Sequence, residues 1–483
     1  MNCDTRTSTD KLLAGEFLVD TSDSTPPSVL SPYNEEKFSK RYPVLQWTAK
    51  NGAKVYYVEI FTEKDKSEAP VSLTTKTVLT YDYKTTSVDL STVFKIDEHD
   101  TEKQPDGVTE KHAPLENKTY YWRVYTDTTE QGQFSESTFN IVFDELYVYC
   151  PETTTTCSDT NSIGNISVPY QTIQGAINEA KRLGVKTIKV ATRGKNASYD
   201  GLVLLEQGIS LYGGYEPDFA EDKRDITNKK SIIQGTDSYT VMASKIFFNT
   251  VFEGFHIKGA TMAGETTALF IDNCSASLTI QNVEITGGNS TASHSTGVYI
   301  FNRSYMTLKN SIITGGHASD NTNAVVVEDY SLPTISYNTI TAGESTGSST
   351  SRAIMVRYNS TPTISYNTIT AGIGLNSYGL LLSNESSPSI YGNTITGSAA
   401  ANNYAIHIDD CDNVHITQNA ITGGNGTESY GILINTTGRV AVSGNTITGG
   451  TATNPYAVSI TGANSAGDVE ITNNTITGGS GTS

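Results

Sequence analysis

The carboxylates best placed for chemistry in this 483-residue chain lie in the stretch AIHIDDCDNVHI, residues 405–416. Asp409, Asp410 and Asp412 stand close together there, with a histidine on either side. Calcium binds several oxygen ligands at once, and clustered aspartates supply them. The stretch is therefore a candidate calcium site, whereas the interpretation that the sequence favours is a solvated acidic turn. The sequence predicts no other cofactor.

Thiol chemistry is the second option. Cys150 and Cys157 flank the loop PETTTT and are close enough in sequence to form a disulfide, which would fit an oxidising compartment. The alternative is two free thiols. Cys274 and Cys411 occupy the same place in repeats that lie five copies apart, which is too far for a disulfide. We expect both to be packed thiols.

The first residues, MNCDTRTSTD, resemble the mature start of a bacterial lipoprotein. In that class an acylated cysteine, here Cys3, is followed by a polar tether. The resemblance implies a lipid anchor whose apolar signal has been removed. The alternative is an ordinary cysteine in a disordered tail.

The net charge of the chain is -18 and its pI is near 4.8. This acidic balance argues against nucleic acid and anionic membrane surfaces as partners. The chain has no run of about 18 apolar residues that would predict a membrane span. It also has no apolar segment typical of a secretory signal. Gly, Ser, Thr and Asn are abundant, so folding depends on the regular spacing of the apolar residues.

The second half of the chain is built from one repeat, with NTITGG as its clearest form. Copies recur every 26 to 29 residues, and such a period indicates a solenoid. Each copy holds three short strands separated by Gly, Asn and Ser, which predicts a right-handed parallel β-helix. The motif opens with an asparagine in eight copies: Asn282, Asn310, Asn338, Asn367, Asn393, Asn419, Asn445 and Asn474.

Side chains alternate across a strand, so parity predicts which residues face the core. The opening asparagine is assigned the parity of the motif isoleucine, and we expect it to point inward at a bend. There it would bond to the asparagine one coil above and below. A tyrosine column shares the parity of the inward Leu and Ile, which favours a buried or corner ladder over an exposed one: Tyr378, Tyr404, Tyr430 and Tyr456.

A third column is predicted to face outward although it is mainly apolar. Exposed apolar stripes mark interfaces, so it is the candidate binding surface. The alternative is that long loops or the other domain cover it. Its members are Phe270, Tyr299, Val326, Met355, Leu381, His407 and Leu433, followed by Ser459.

Three regions precede or contain the repeat. Residues 1–40 are rich in Ser, Thr, Asp and Pro and predict a flexible tether. Residues 41–145 alternate with period two and predict an all-β sandwich. Residues 146–483 hold the β-helix, with a helix at about 170–184 and regular coils at about 254–483. That helix is amphipathic, with one apolar face, and it ends at Gly184.

The sandwich region resembles bacterial fibronectin type III and related immunoglobulin-like domains. The resemblance rests on Trp47 in an early strand and on Leu115 followed by the strand YYWRV, residues 120–124. It implies a spacer or a binding module. We expect Trp47 to be a core residue.

The segment that follows resembles parallel β-helix proteins related to pectin lyases, including a family of unassigned function found in spirochaetes and archaea. The matching residues are Pro169-Tyr170, TIQGAI at 172–177, ISLYGGY at 209–215 and Phe219. In those proteins the helix plugs the end of the stack, which would otherwise expose an unpaired edge.

The pectin lyase-like group includes lyases and glycosidases, whose chemistry needs acids on neighbouring coils of one wall. At the position just after the strand that carries the outward column, no two adjacent coils are both acidic. Glu328 and Asp329 lie next to Arg357, which predicts a cross-coil ion pair of small value. The catalytic pattern of the group is therefore not carried over.

The sequence favours a surface-displayed or secreted non-enzymatic protein that binds a glycan or an extracellular protein along its wall. The alternatives are a polysaccharide-acting lyase or glycosidase and a structural spacer. The chain ends at GGSGTS without a capping element. We expect either that the natural protein continues or that the bare edge allows self-association.

Overall fold

A computed structural model gives the fold, which consists of two compact units. Unit 1 comprises residues 1–144 and 161–168, and unit 2 comprises residues 145–160 and 169–483. The structure describes residues 25–32, 36–38, 44–50, 53–61, 77–82, 87–90, 119–126, 129, 133–141, 144–159, 162, 164–166, 168–346, 349–436, 438–461 and 469–481.

Unit 1 is built from antiparallel strands in two sheets. Its strands are β1 (Val29–Ser31), β2 (Glu36–Phe38), β3 (Val44–Trp47), β4 (Val55–Phe61), β5 (Thr77–Asp82), β6 (Ser87–Asp89), β7 (Thr119–Thr126) and β8 (Ser135–Ile141). One sheet has the order β1-β3-β6, and the other has the order β2-β8-β7-β4-β5. The pair β2 and β8 is parallel, whereas the other pairs are antiparallel.

Both sheets of unit 1 contribute to one core. Trp47 is 1% exposed, and Trp122 and Tyr56 are fully buried. The rings of Trp47 and Tyr56 lie 5.6 Å apart. Burial of these large aromatic side chains stabilises the unit.

Two predictions about this part of the chain stay predictions. The fibronectin-like assignment rests partly on Leu115, which lies outside the described residues. The lipid anchor at Cys3 also lies outside them. Within the predicted tether, Val29–Ser31 forms a strand that pairs with β3, and Val29 packs against the core.

Unit 2 opens with a strand, a disulfide and a helix. Cys150 and Cys157 are joined, with their Cα atoms 5.9 Å apart. Helix α1 (Ile173–Leu183) begins after Thr172, whose hydroxyl accepts the N–H of Gly175, and ends at Gly184 in the left-handed conformation. Its apolar face packs against the first strands of the unit. The buried residues of that face are Ile173, Ala176, Ile177 and Ala180.

The remaining strands are short and recur three or four to a coil. In chain order they are β9 (Glu145–Val148), β10 (Thr187–Ala191), β11 (Tyr199–Asp200), β12 (Val203–Leu205), β13 (Ser210–Tyr215), β14 (Ser231–Gln234), β15 (Tyr239–Ser244), β16 (Thr250–Glu253), β17 (Phe255–Lys258), β18 (Thr261–Met262), β19 (Thr266–Asp272), β20 (Leu278–Gln281), β21 (Glu284–Thr286), β22 (Asn289–Ser290), β23 (Ser295–Phe301), β24 (Thr307–Lys309), β25 (Ile312–Thr314), β26 (His317–Ala318), β27 (Thr322–Val327), β28 (Thr334–Ser336), β29 (Thr339–Thr341), β30 (Glu344–Ser345), β31 (Thr350–Val356), β32 (Thr363–Ser365), β33 (Thr368–Thr370), β34 (Asn376–Ser383), β35 (Ser389–Tyr391), β36 (Thr394–Thr396), β37 (Asn402–Asp409), β38 (Asn413–Thr417), β39 (Ala420–Thr422), β40 (Asn425–Asn435), β41 (Arg439–Ser443), β42 (Thr446–Thr448), β43 (Thr451–Ile460), β44 (Val469–Thr472), β45 (Thr475–Thr477) and β46 (Ser480–Gly481).

These strands form three parallel walls, which confirms the β-helix predicted from the repeat. Wall 1 runs from β9 through β10 and β13 to β44 and has 12 strands. Wall 2 runs from β11 to β45, wall 3 runs from β12 to β46, and each has 11 strands. A fourth sheet of four short strands, β18-β22-β26-β30, lies between walls 2 and 3 in chain order. Parallel pairing already runs through β10 to β15, upstream of residue 254 where the repeat becomes regular.

The interior is a stack of aliphatic columns. The motif isoleucines of wall 2 pair directly, from Ile285 with Ile313 through to Ile421 with Ile447, and are at most 1% exposed. In wall 3, Leu380 and Leu382 pair with Ile406 and Ile408, and all four are fully buried. In the part of the chain that the structure describes, no helix combines the length and the apolar composition needed to cross a membrane.

A ladder of asparagine side chains closes the bend between walls 1 and 2. From Asn367 onward, each asparagine accepts at Oδ1 both the backbone N–H and the Nδ2–H of the asparagine one coil earlier, at 2.8 to 3.1 Å. Each Nδ2 also donates to a backbone carbonyl of wall 1. The ladder comprises Asn338, Asn367, Asn393, Asn419, Asn445 and Asn474.

Asn282 and Asn310 do not belong to this ladder, contrary to the prediction. In these two coils the asparagine stands three residues before the inward isoleucine, whereas in the other six coils it stands two before it. The ladder position is therefore taken by Val283 and Ser311, and the N–H of Ser311 donates to Asn338 at 2.9 Å. Asn282 and Asn310 occupy the left-handed corner itself, with φ of 52°.

This register predicts that the same substitution has a large effect on stability at one site and a small effect at another. Asn338→Gly should lower the free energy of unfolding by about 2–4 kcal/mol, because the buried N–H of Ser311 and the carbonyl of Leu308 lose their partner. Asn310→Gly should change it by less than about 0.5 kcal/mol, because Asn310 is exposed and glycine accepts its positive φ. Urea unfolding followed by circular dichroism measures both. Equal losses at the two sites would contradict the register.

Candidate functional site on the outer face of wall 3

The predicted outward column is continuous in register along wall 3. Each member pairs with the next, from Phe270 with Tyr299 to Leu433 with Ser459. Its exposure is uneven. Val326 and Met355 are only 3% and 7% exposed, whereas the members on either side are half-buried. The middle of the column is therefore covered, and it divides the accessible part into two.

The part nearer the N-terminus is an aromatic cluster. The ring of Phe270 lies 4.9 Å from Tyr239 and 5.5 Å from Tyr299, and Tyr299 lies 5.9 Å from Phe301. These rings are tilted or edge-on, the arrangement that aromatic pairs prefer. The rings pack mainly against one another, so this part is a small hydrophobic cluster at the surface.

A buried ion pair lies beside the covered middle. Glu328 is 3% exposed, and its two oxygens accept the hydroxyl of Tyr299 and the Nε–H of Arg357. The sequence predicted a cross-coil pair of small value, which is the expectation for exposed charges. The cross-coil pair is present, but Glu328 is buried, and a carboxylate withdrawn from water depends more strongly on its partners than an exposed one does. Asp329 lies instead at a left-handed corner, with φ of 57°.

The four tyrosines of the predicted ladder stack on one another. Successive ring centroids lie 4.8, 5.1 and 5.0 Å apart, and the planes are within 12° of parallel. Tyr456 is 43% exposed, and the other three are half-buried. Burial raises the pKa of Tyr378 and Tyr430 to about 12, so their hydroxyls stay protonated at neutral pH.

The ladder lies on the outer face, and the parity argument that favoured its burial is wrong. Gly379 and Leu380 are consecutive in β34 and both are buried, so the alternation breaks between them. The same break occurs at Ala405 and Ile406 in β37. The tyrosine before the break therefore faces out, although the leucine after it faces in.

Polar columns flank the ladder on both sides. On one side, Asn402 donates to Asn376 at 2.8 Å, and Glu428 accepts from Asn454 at 2.7 Å. On the other side, Asn435 donates to Asp409 at 2.8 Å. Sequence reasoning missed the first of these columns, although it recurs two residues before each ladder tyrosine. We call the following set the tyrosine track: Tyr378, Tyr404, Tyr430, Tyr456, Leu381, His407, Leu433, Asp409, Asn435, Asn376, Asn402, Glu428 and Asn454.

His407 lies within this track against two of its tyrosines. Its ring is 5.1 Å from Tyr404 and 5.7 Å from Tyr378, nearly parallel to both. Burial lowers the pKa of His407, and the nearby carboxylate of Asp409 opposes this only in part. The imidazole is therefore neutral at pH 7, and the centre of the track carries no positive charge.

The three aspartates proposed for calcium do not form a site. Among the described residues, no three His, Cys, Asp or Glu side chains are grouped so that they could hold a metal ion. Asp409 ends β37 and is bonded to Asn435, Asp410 takes the left-handed corner with φ of 51°, and Asp412 is exposed beyond it. The turn in the chain separates carboxylates that are neighbours in sequence.

Cys274 and Cys411 are free and buried. Burial raises the pKa of each thiol to about 11, so neither is a ready nucleophile at neutral pH.

Comparison with known proteins supports the fold. The family described as "Right handed beta helix region" matches residues 244–447 and 378–483, which confirms a right-handed parallel β-helix there. No curated protein matches the chain.

Several solved structures are similar at 10–11% identity. They include pectate lyase Pel9A (10% identity, TM-score 0.40, 68% of this chain and 79% of the other), the A-module of Azotobacter vinelandii mannuronan C-5 epimerase AlgE6 (11%, 0.25, 62% and 94%) and the catalytic domain of a GH87 alpha-1,3-glucanase bound to nigerose (11%, 0.30, 95% and 94%). At these identities the similarity concerns the fold alone.

The neutral state of His407 predicts a pH dependence of stability. Its folded pKa lies below the ordinary value of 6.5, so the unfolded chain binds more protons as the pH falls below about 6.5. Stability from this residue is therefore fully present above that pH and is lost as the pH falls. In His407→Leu, which copies Leu381 and Leu433, the loss of stability between pH 7 and pH 5 should be smaller than in the wild type.

Urea midpoints at half-unit pH steps measure this difference. His256, whose pKa burial lowers to about 4, is present in both proteins and provides a common background slope. Parallel curves for the two proteins would show that His407 does not carry the effect.

Proposed function

We propose that this protein is a non-enzymatic carbohydrate-binding protein, secreted or displayed on a cell surface, that holds a glycan along the tyrosine track. The observation that carries the proposal is the side-by-side run of aromatic, apolar and hydrogen-bonding columns over β34, β37, β40 and β43. Sites for sugars combine apolar contact area with a few fixed polar groups, and the track offers both in every coil.

The regular spacing of the track suits a polymer. Adjacent coils lie about 4.8 Å apart, so the same set of groups is presented again at each step along the axis. In the middle of the ladder the ring faces are covered by neighbouring rings. The accessible groups are therefore ring edges and hydroxyls, together with the side chains of Leu381 and Leu433. A chain of sugar units can lie along them and exchange hydrogen bonds with the flanking amides.

The charge of the track favours a neutral glycan. Asp409 and Glu428 are acidic, His407 is neutral, and the whole chain carries a net charge of -18. An anionic polysaccharide would be repelled by this surface.

The two carboxylates support binding rather than cleavage. Glycosidases place two carboxyl groups on either side of one scissile bond. Here Asp409 accepts from Asn435, whereas Glu428 accepts from Asn454 and from the hydroxyl of Tyr430. They belong to different columns with the tyrosine ladder between them. Both are engaged in fixing neighbouring polar side chains.

The location and the first unit complete the proposal. The Cys150–Cys157 disulfide supports an oxidising compartment. We include the lipid anchor at Cys3 and the role of unit 1 as a fibronectin-like spacer in the same proposal. The anchor would attach the chain to a membrane, and unit 1 would act as the spacer between the anchor and the β-helix.

A binding panel tests this function. The purified chain is incubated with neutral polysaccharides (laminarin, galactomannan and xylan) and acidic ones (pectin and alginate), with and without calcium. Retention is measured by affinity electrophoresis, and cleavage by the release of reducing ends. We expect retention on a neutral polysaccharide, no cleavage, and no effect of calcium. The double variant Tyr404→Leu/Tyr430→Leu should weaken retention about tenfold or more, since each ring contributes about 1 kcal/mol.

The matched control is Phe248→Leu, an aromatic residue that is 64% exposed and lies outside the track. It should leave retention unchanged. Chain cleavage would overturn the non-enzymatic assignment. The absence of retention on every polysaccharide would overturn the glycan assignment and favour a protein partner.

A further inference from the structure

Four tyrosines occupy an unfavourable backbone conformation in two consecutive coils. Tyr330, Tyr337, Tyr358 and Tyr366 have φ of 57°, 56°, 55° and 55°. This left-handed region suits glycine and asparagine, and a bulky side chain is uncommon there. We call these four residues the corner tyrosines.

The equivalent corners of the other coils show what the fold itself requires. At the bend between walls 1 and 2, where Tyr337 and Tyr366 lie, the other coils carry mainly asparagine or glycine. These residues are Asn282, Asn310, Gly392, Gln418, Gly444 and Asn473. The bend therefore forms without an aromatic ring. Strained residues of this kind persist where a site needs them.

The corner tyrosines are also well exposed. Tyr337 is 60% exposed, Tyr330 is 49%, Tyr366 is 47% and Tyr358 is 45%. They belong to neither the interior nor the tyrosine track. Large aromatic side chains so accessible to water contribute little to the core and are available to a ligand.

The rings at the bend between walls 1 and 2 are packed into a defined arrangement. Tyr337 stacks on Tyr366 at 5.1 Å with a 16° angle, and Tyr366 meets Tyr391 edge-on at 5.0 Å. The next corner is Gly392, where an added Cβ would lie 2.7 Å from the ring of Tyr366. Glycine at this corner therefore leaves room for the ring, and the arrangement is held in place before any ligand arrives.

Wall 1 between the two bends is uncharged and rich in hydroxyls. The stretches SLPTISYN (331–338), STPTISYN (360–367) and SSPSIYGN (386–393) contain no Asp, Glu, Lys or Arg. Their strands β28, β32 and β35 present Thr334, Thr363 and Ser389 to solvent. The surface thus has a floor of hydroxyls between two edges of exposed tyrosines, within a chain of net charge -18.

We propose that this corner-tyrosine face is a second, separate site for a neutral oligosaccharide. The ligand class follows from three properties of the face. It offers aromatic rings to the apolar faces of sugars, hydroxyl groups to their hydroxyls, and strands without charged side chains. The guanidinium groups of Arg303 and Arg357 lie over the rings of Tyr330 and Tyr358 at one edge, so the open rings for a neutral ligand are those of Tyr337 and Tyr366. A protein partner would favour an apolar centre with a polar rim. This face has aromatic rings at its edges and mainly hydroxyls between them, with Leu332 exposed beside Tyr330.

The inference rests on the proposed function for the class of ligand, but it concerns a different wall. The tyrosine track lies on wall 3, and the corner-tyrosine face lies on wall 1. A glycan could therefore engage the two sites in different coils, and loss of one should leave the other intact.

The test uses the strain itself. The double variant Tyr337→Asn/Tyr366→Asn replaces each ring by the residue that Asn310 and Asn473 provide at equivalent corners. Its urea midpoint should be unchanged or higher, because asparagine accepts the left-handed conformation more readily. The affinity of the corner-tyrosine face for laminarin, galactomannan or xylan oligosaccharides, whichever the wild type binds, should fall about tenfold or more, whereas the affinity of the tyrosine track should stay unchanged.

Three comparison proteins make the result decisive. Phe248→Asn is the control for loss of an exposed aromatic residue, Tyr404→Leu/Tyr430→Leu removes the track, and the quadruple variant combines both changes. Calorimetric titration should give two sites in the wild type, one in each double variant and none in the quadruple variant. If the paired asparagines prevent folding, Tyr337→Asn alone serves, since that ring is the most exposed of the four.

The outcomes separate this inference from the proposed function. Unchanged affinity and stoichiometry in the corner variant, with loss in the track variant, would overturn the second site and leave the proposed function standing. Retained affinity with a lowered urea midpoint would assign the corner tyrosines to packing and would also overturn it. A wild type that binds none of the oligosaccharides would overturn both.

Discussion

Hydrogen bonding between successive coils in constant register is the interaction on which the β-helix depends. Parallel strands about 4.8 Å apart place each side chain directly over its equivalent in the next coil. Inward positions therefore become columns of one residue type, as in the isoleucines of wall 2. A polar group can be buried in such a column only if its neighbours supply its partners. The asparagine ladder meets that condition, because from Asn367 onward each Oδ1 accepts two bonds from the coil before it.

The same register determines what the outer surface can offer. Tyrosines that recur at one position must stack, as Tyr404 does on Tyr430 at 5.1 Å. Stacked rings cover one another's faces and leave edges and hydroxyls for a ligand. The column thus gains rigidity, since each ring is fixed by two neighbours, but it loses the open ring face that an isolated aromatic residue would present. A surface that must expose ring faces therefore has to interrupt the regular pattern.

The sequence predicted the repeat, the parallel β-helix and most of its columns, because a constant step preserves the register. The prediction was wrong where the step changes. Asn310 and Asn338 begin similar motifs, NSIITGG and NTITAG, but one extra residue separates Asn310 from its inward isoleucine. It was also wrong for Tyr378, because the buried pair Gly379 and Leu380 breaks the alternation in β34. The burial of Glu328 could not be read from its own strand, because Tyr299 and Arg357 reach it from neighbouring coils.

Departures from the repeat carry more information about function than the repeat does. In a solenoid each coil contacts only its neighbours, and stability accumulates over many equivalent interfaces. One coil can then contain an unfavourable residue without a large loss of stability for the whole β-helix. The left-handed corners are a clear case, since asparagine at φ of 52° and tyrosine at φ of 56° support the same bend. Because asparagine adopts this conformation more easily, backbone geometry does not account for the tyrosines. Their concentration in two adjacent coils, at both ends of the same uncharged strands, is what a local binding surface requires and what the regular helix does not.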